Sequence, residues 1–66
     1  MDNYRLLTAS HVADRDGLGL ELWDASGETV GEVFRNDLTG ERTVTLWTEL
    51  PLEVVEWLVR EARRQL

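Results

Sequence analysis

Apolar and polar residues alternate along three stretches in the middle of the chain, a pattern typical of half-buried β-strands. These stretches cover residues 18–24, 28–35 and 41–48. Two similar segments separate them, Asp24-Ala-Ser-Gly-Glu28 and Asp37-Leu-Thr-Gly-Glu41. An Asp that caps its own turn, with Gly three positions later, is typical of a three-residue hairpin loop with a left-handed glycine. The pattern therefore predicts a three-stranded antiparallel meander with two similar turns.

The spacing of apolar residues changes from two to three and four near the carboxy terminus, which indicates a helix over residues 51–65. Pro51 suits the first helical turn. Acidic residues early in this segment and arginines late in it complement the helix dipole. The apolar residues expected on the buried side of this helix are Leu52, Val55, Leu58 or Val59, Ala62 and Leu66.

The amino-terminal stretch 4–12 contains both strand-favouring and helix-compatible residues, so a strand and a helix are both open. A turn signal follows it at residues 14–17, Asp-Arg-Asp-Gly, which favours a first strand entering the same meander. The predicted fold is α+β: four antiparallel strands followed by one helix packed on one face of the sheet. Residues 1–66 are expected to form a single small domain.

Three-residue loops at both hairpins would fix the strand register. The residues then expected on the helix-covered face are Leu18, Leu20, Leu22, Val30, Phe34, Val44 and Leu46. The opposite face would carry a candidate interaction surface of Trp23, Val33, Arg35, Thr45 and Trp47. One helix covers only one face, so these indoles need another cover. Three covers are open: the amino-terminal segment, a second copy or partner protein, or ligand rings or bases stacked on the indoles. Exposed aromatic patches of this kind mark interaction sites.

The same register places Glu32 on the core face, where an unpaired carboxylate costs several kcal/mol. Three solutions are open. Gly31 can host a β-bulge that resets the side-chain alternation, because glycine inside a strand often marks a bulge. Alternatively, Glu32 lies at a sheet edge, or it pairs with an arginine.

Composition limits the chemistry that this chain can perform. The 66 residues include 13 acidic residues, seven arginines as the entire basic set, one histidine and no cysteine, for a net charge of −6. His11 next to Ser10 is not a catalytic arrangement, because neighbouring strand residues point to opposite faces. Asp14-x-Asp16-Gly17 lacks the later ligands of a calcium loop. We therefore expect no enzymatic activity, no cofactor and no metal.

The sequence begins Met-Asp-Asn without a signal peptide, and its apolar runs are too short to cross a membrane, so a cytoplasmic location is expected. The favoured function is a small interaction or regulatory module that forms a homodimer or binds a protein partner. In element order alone, the predicted meander and helix resemble single-stranded DNA-binding domains of the PC4 type. That resemblance implies single-stranded nucleic-acid binding as an alternative, which the net charge disfavours. A further alternative is an acidic inhibitor, antitoxin-like protein or nucleic-acid mimic.

Overall fold

The computed structural model describes residues 3–10 and 16–66. It contains four strands and one helix: β1 (Tyr4–Ser10), β2 (Gly17–Asp24), β3 (Thr29–Asn36), β4 (Arg42–Leu46) and α1 (Leu52–Gln65). The strands form one antiparallel sheet in the order β1-β2-β3-β4, and α1 packs on one face of it. This confirms the predicted fold, and the amino-terminal segment is a strand of the sheet. His11 and most of the predicted turn at 14–17 lie outside the described residues.

The first hairpin has the predicted three-residue loop. The Asp24 amide donates a hydrogen bond to the Glu28 carbonyl over 2.9 Å, and Gly27 has a φ of 87°. The Asp24 carboxylate accepts hydrogen bonds from the Ser26 hydroxyl at 2.6 Å and from the Ser26 and Glu28 amides. These donors, with the Ser26 hydroxyl first, lower the pKa of Asp24 below its usual value.

The second hairpin differs from the prediction, because its loop has four residues, 37–40. The Asn36 amide donates to the Glu41 carbonyl over 2.9 Å, so Asn36 and Glu41 close the loop instead of Asp37 and Glu41. The Asn36 side-chain oxygen accepts from the amides of Leu38 and Thr39. Asn36 thus caps the turn that the sequence pattern assigned to Asp37, and the register of β4 moves by one residue.

A β-bulge at Val30 changes which side chains of β3 face the helix. Trp23 lies opposite Thr29 and Leu22 lies opposite Gly31, so Val30 is the extra residue. Of the solutions left open for Glu32, the structure contains a bulge, but its extra residue is Val30 and not Gly31. Beyond it, Val33 lies opposite Leu20, and the side-chain alternation of β3 is reversed relative to the turn.

The core lies between α1 and the sheet face that β1, β2 and β3 present to it. Its buried residues are Leu20, Leu22, Val30, Val33, Val54, Leu58, Ala62 and Leu66. The helical part confirms the prediction for Leu58, Ala62 and Leu66. The expectation for Leu52 is wrong, since it is 70% exposed; Val54 is buried instead. Val54, Leu58, Ala62 and Leu66 recur every four residues and form one ridge of the helix.

Candidate interaction surface along strand β4

The five residues of the predicted interaction surface do not share one face of the sheet. Trp23 and Thr45 lie on the face away from α1. Trp23 is two residues from Glu21 on β2, Glu21 lies opposite Glu32, and Glu32 lies opposite Thr45. Trp23 is half-buried there. Its indole N–H donates to Glu21 Oε1 over 3.2 Å, and the Arg5 guanidinium carbon lies 5.7 Å from its ring centroid. The indole polar group and one ring face are therefore occupied by neighbours in the same chain.

Val33 and Arg35 lie on the helix side of the sheet, so their predicted placement beside Trp23 is wrong. The bulge at Val30 is the physical reason. Val33 is 2% exposed and belongs to the core. The Arg35 Nη1 donates to the backbone carbonyl of Leu66 over 2.7 Å, where a cation complements the carboxyl end of the helix dipole. Arg35 is thus a structural contact between β3 and α1.

Phe34, Val44 and Leu46 also differ from the predicted core, for two different reasons. Phe34 was expected on the helix-covered face, yet it lies opposite Gly19 on the other face, where it is 5% exposed. Val44 lies on the helix side as predicted, but it is 51% exposed because α1 does not extend over β4. Leu46 is likewise on the helix side and 42% exposed. For Val44 and Leu46, the predicted face of the sheet is therefore correct, but the predicted burial is wrong.

Glu32 lies on the face away from α1, opposite Glu21 on β2 and Thr45 on β4. The bulge removes it from the hydrophobic core, as expected. It is nevertheless only 5% exposed. No buried side-chain nitrogen or oxygen in the described part of the chain lacks a hydrogen-bond partner. Glu32 is therefore a satisfied buried carboxylate.

Strand β4 is an edge strand whose outer backbone groups point away from the sheet. The Asn36 amide bonds to Glu41, and the Trp47 amide bonds to Val30 over 3.0 Å. Hydrogen-bonding residues alternate along an antiparallel ladder, so odd-numbered residues of β4 face β3. The backbone N–H and C=O groups of Arg42, Val44 and Leu46 consequently point outward. In the described ranges no strand lies beyond β4.

A groove runs between β4 and the side of α1. It has a volume of about 330 Å³. Its lining is mostly apolar: Val33, Val44, Val59 and Ala62, with Arg42 and Arg63. Leu52 and Val55, with a helical rotation of about 100° per residue, lie on the same side of α1 as Val59. These two residues, predicted for the core, therefore lie on the side of α1 that faces the groove instead of on its buried ridge.

One end of the groove is basic, and exposed acidic residues lie beyond the other end. Because α1 runs antiparallel to β4, Arg42 and Arg63 meet at the end where Arg35 contacts Leu66. Glu49 and Glu53 lie beyond the other end, where β4 leads into α1; both are exposed, and neither lines the groove. Within the described residues, neither arginine of the groove takes part in an ion pair. The charges near the two ends are therefore opposite in sign, and none of them is held in an ion pair within the described residues.

Beyond the end of β4, Trp47 adds an exposed aromatic residue. Its side chain is 57% exposed, and it is the largest of the exposed apolar side chains among the described residues. Together with Val44, Leu46 and Leu52 it makes the β4 side the richest exposed apolar region described here. The sequence pattern identified Trp47 and Thr45 as surface residues, but it did not identify the edge and the groove. The one available signal was that the last strand of a meander lies at a sheet edge.

Comparisons with protein-family profiles, with curated proteins and with solved structures found no match. Among residues 3–10 and 16–66, no three His, Cys, Asp or Glu side chains are grouped so that they could hold a metal ion. The helix in that part of the chain, α1, is not long and apolar enough to cross a membrane. Strand β4 and its groove are thus the feature from which a function can be argued.

Proposed function

We propose that this protein is a non-enzymatic interaction module that binds an extended segment of a protein chain along β4. The observation that carries the proposal is that every residue of β4 is exposed while its outer backbone groups point away from the sheet. Such an edge is a template for strand addition, in which main-chain hydrogen bonds supply affinity. Isolated domains usually protect edges with charged side chains, proline or a bulge. The only such feature of β4 is Arg42 at its start, and residues 43–46 carry none.

The groove supplies the specificity that backbone pairing lacks. Alternate side chains of an added strand point to the same face of the sheet, so those on the helix side would lie beside Val44 and Leu46. There they would meet the apolar wall formed by Val59 and Ala62. Arg42 and Arg63 at one end favour a ligand with an acidic residue at that position. The expected ligand is an extended segment with alternating apolar residues and a carboxylate.

The face around Trp23 is a weaker candidate for the same role. Its indole already contacts Glu21 and Arg5.

For nucleic acid, an aromatic strip combining Trp23 with Arg35 and Arg42 would be needed, but both arginines align on the helix side of the sheet. Together with the net charge of −6, this favours a protein ligand. The expected cytoplasmic location stays a prediction.

Selection of peptides from a random display library tests the proposal. The chain is immobilised at low density, so that copies remain apart, and selected peptides are then titrated while backbone amide chemical shifts are followed. We expect micromolar binders that perturb β4 residues. Val44→Lys, which places a charge at the centre of the groove, should weaken binding at least tenfold. Leu38→Lys is the matched control, because Leu38 is 84% exposed in a hairpin loop.

Two results would contradict the proposal. The first is a selection that yields no binder for the folded protein. The second is a set of binders whose affinity is unchanged by Val44→Lys but lost in Trp23→Ala, which would return the interaction surface to the other face. Circular dichroism and a cooperative thermal transition confirm that each variant is folded.

A further inference from the structure

We infer that the strand added to β4 is β4 of a second copy, paired antiparallel about a two-fold axis at Val44; this rests on the proposed function. The outward backbone groups belong to Arg42, Val44 and Leu46, and Val44 is the middle one. Pairing about Val44 uses the full length of the strand, because Arg42 then lies opposite Leu46 of the second copy. The interface is isologous, as expected for a homodimer.

The side chains of β4 are nearly palindromic about Val44. The sequence is Thr-Val-Thr over 43–45. A two-fold axis at Val44 therefore places Thr43 of each copy opposite Thr45 of the other copy. Both pairs lie on the face away from α1. Cross-strand threonine pairs are favourable. On the helix side, Val44 meets Val44 of the second copy, and each Leu46 lies beside the aliphatic stem of an Arg42.

Charge complementarity favours the same arrangement. Antiparallel pairing brings the basic end of one groove, with Arg42 and Arg63, alongside the end of the second copy that carries Glu49 and Glu53. These charges have no ion-pair partners within the described chain. The reversed, parallel alignment would instead set the two basic ends together. Although each copy carries −6, the local charges at the joined edge are therefore complementary.

Single cysteines provide a register-specific test, because the chain has none of its own. Residues that exchange both hydrogen bonds across a strand pair have α-carbons about 5.5 Å apart, within the range that a disulfide spans. Val44→Cys should therefore form a disulfide-linked dimer under mild oxidation. Thr43→Cys and Thr45→Cys should each crosslink poorly alone, since two copies of either residue lie about 8 Å apart. A mixture of these two variants should crosslink.

Sedimentation equilibrium of the unmodified chain measures the association itself. We expect a monomer–dimer equilibrium in the micromolar range. Arg42→Glu should weaken the association several-fold, because it places like charges together at the joined edge. Arg60→Glu is the control, since it makes the same charge change on an exposed part of α1 away from β4. Val44→Lys should leave a folded monomer.

The outcomes distinguish the inference from the proposed function. A chain that stays monomeric at every concentration, yet binds displayed peptides along β4, overturns the second copy as occupant and leaves the proposed function standing. A dimer that crosslinks equally through Thr43→Cys and Val44→Cys overturns the proposed register. A dimer unaffected by Val44→Lys, together with a failed peptide selection, overturns both.

Discussion

The aromatic ring of Phe34 lies against the α-carbon of Gly17 on the sheet face away from α1. A side-chain carbon at position 17 would collide with that ring and with the backbone carbonyl of Arg35. Phe34 also lies opposite Gly19, so two glycines of β2 leave room for one ring. This contact contributes to the burial of a large aromatic side chain outside the main core.

Gly17→Ala should destabilise the protein by roughly 1–3 kcal/mol, because a methyl group there forces the ring and the backbone apart. That is a large part of the roughly 3–5 kcal/mol expected for a domain of this size. Urea unfolding followed by circular dichroism measures the change. In a Phe34→Leu background the penalty should shrink but not vanish, because the clash with the Arg35 carbonyl remains. An unchanged midpoint for Gly17→Ala would contradict the packing described.

Leu58→Ala should cost about 2–5 kcal/mol, since the side chain is fully buried and its removal leaves a cavity. On the expected stability of such a small domain, this variant should be partly or wholly unfolded at room temperature. Leu38→Ala makes the same chemical change at an exposed loop residue and should stay within about 0.5 kcal/mol. Thermal unfolding of both variants separates burial from side-chain size. Equal effects would refute the assignment of Leu58 to the core.

The Asp24 turn should make stability depend on acid pH. Hydrogen bonds from the Ser26 hydroxyl and the Glu28 amide lower the pKa of Asp24 in the folded state. The stabilisation is therefore complete above the unfolded-state pKa and is lost as the pH falls through the lower, folded-state pKa. Asp24→Asn keeps a side-chain acceptor, as Asn36 does in the second hairpin, but removes the titration.

Urea unfolding across the acid range measures this dependence. The stability advantage of the unmodified chain over Asp24→Asn should decrease steadily as the pH falls through that range. Ser26→Ala removes the largest cause of the lowered pKa, so its acid dependence should be intermediate. Parallel stability curves for the unmodified chain and Asp24→Asn would show that the turn carboxylate makes no such contribution.

Arg35→Lys should reduce stability by about 1 kcal/mol, because the hydrogen bond from Nη1 to the Leu66 carbonyl joins β3 to the carboxyl end of α1. The figure allows for the 34% exposure of the Arg35 side chain, which weakens its electrostatic part. Arg64→Lys is the comparison, since Arg64 pairs with Glu61 on the helix surface and is 68% exposed. Chemical denaturation should show a smaller effect there. The reverse order would argue against a bridging role for Arg35.

Alternation and turn chemistry predicted the elements of this fold because each signal is local. Asp24 and Gly27 specify the first loop by their own conformational preferences. Local signals did not predict the register of β3, since Val30 suits a regular strand as well as a bulge. The misplaced carboxylate of Glu32 and the neighbouring Gly31 pointed to the irregularity, but not to Val30 as its extra residue. Asn36, next to Asp37, offered a second capping residue, and the structure uses it.

The candidate surface was predicted less well because it depends on how far α1 extends over the sheet. Helical spacing identifies an apolar side of α1, but Val54 and Val55 are both apolar, so the ridge that enters the core was ambiguous. Val44 and Leu46 alternate like core residues of any strand. Their exposure follows from the width of one helix relative to four strands, which is a tertiary property.

The absence of β4 from the hydrophobic core has a consequence for local opening. β1, β2 and β3 each contribute side chains to the cluster beneath α1, whereas β4 is secured mainly by its ladder to β3. Parts of a protein with few buried apolar contacts open at a lower free-energy cost than the whole molecule. The amides of β4 should therefore exchange with solvent earlier than those of β2. The exposed edge strand is thus also the one that contributes no buried residue to the core.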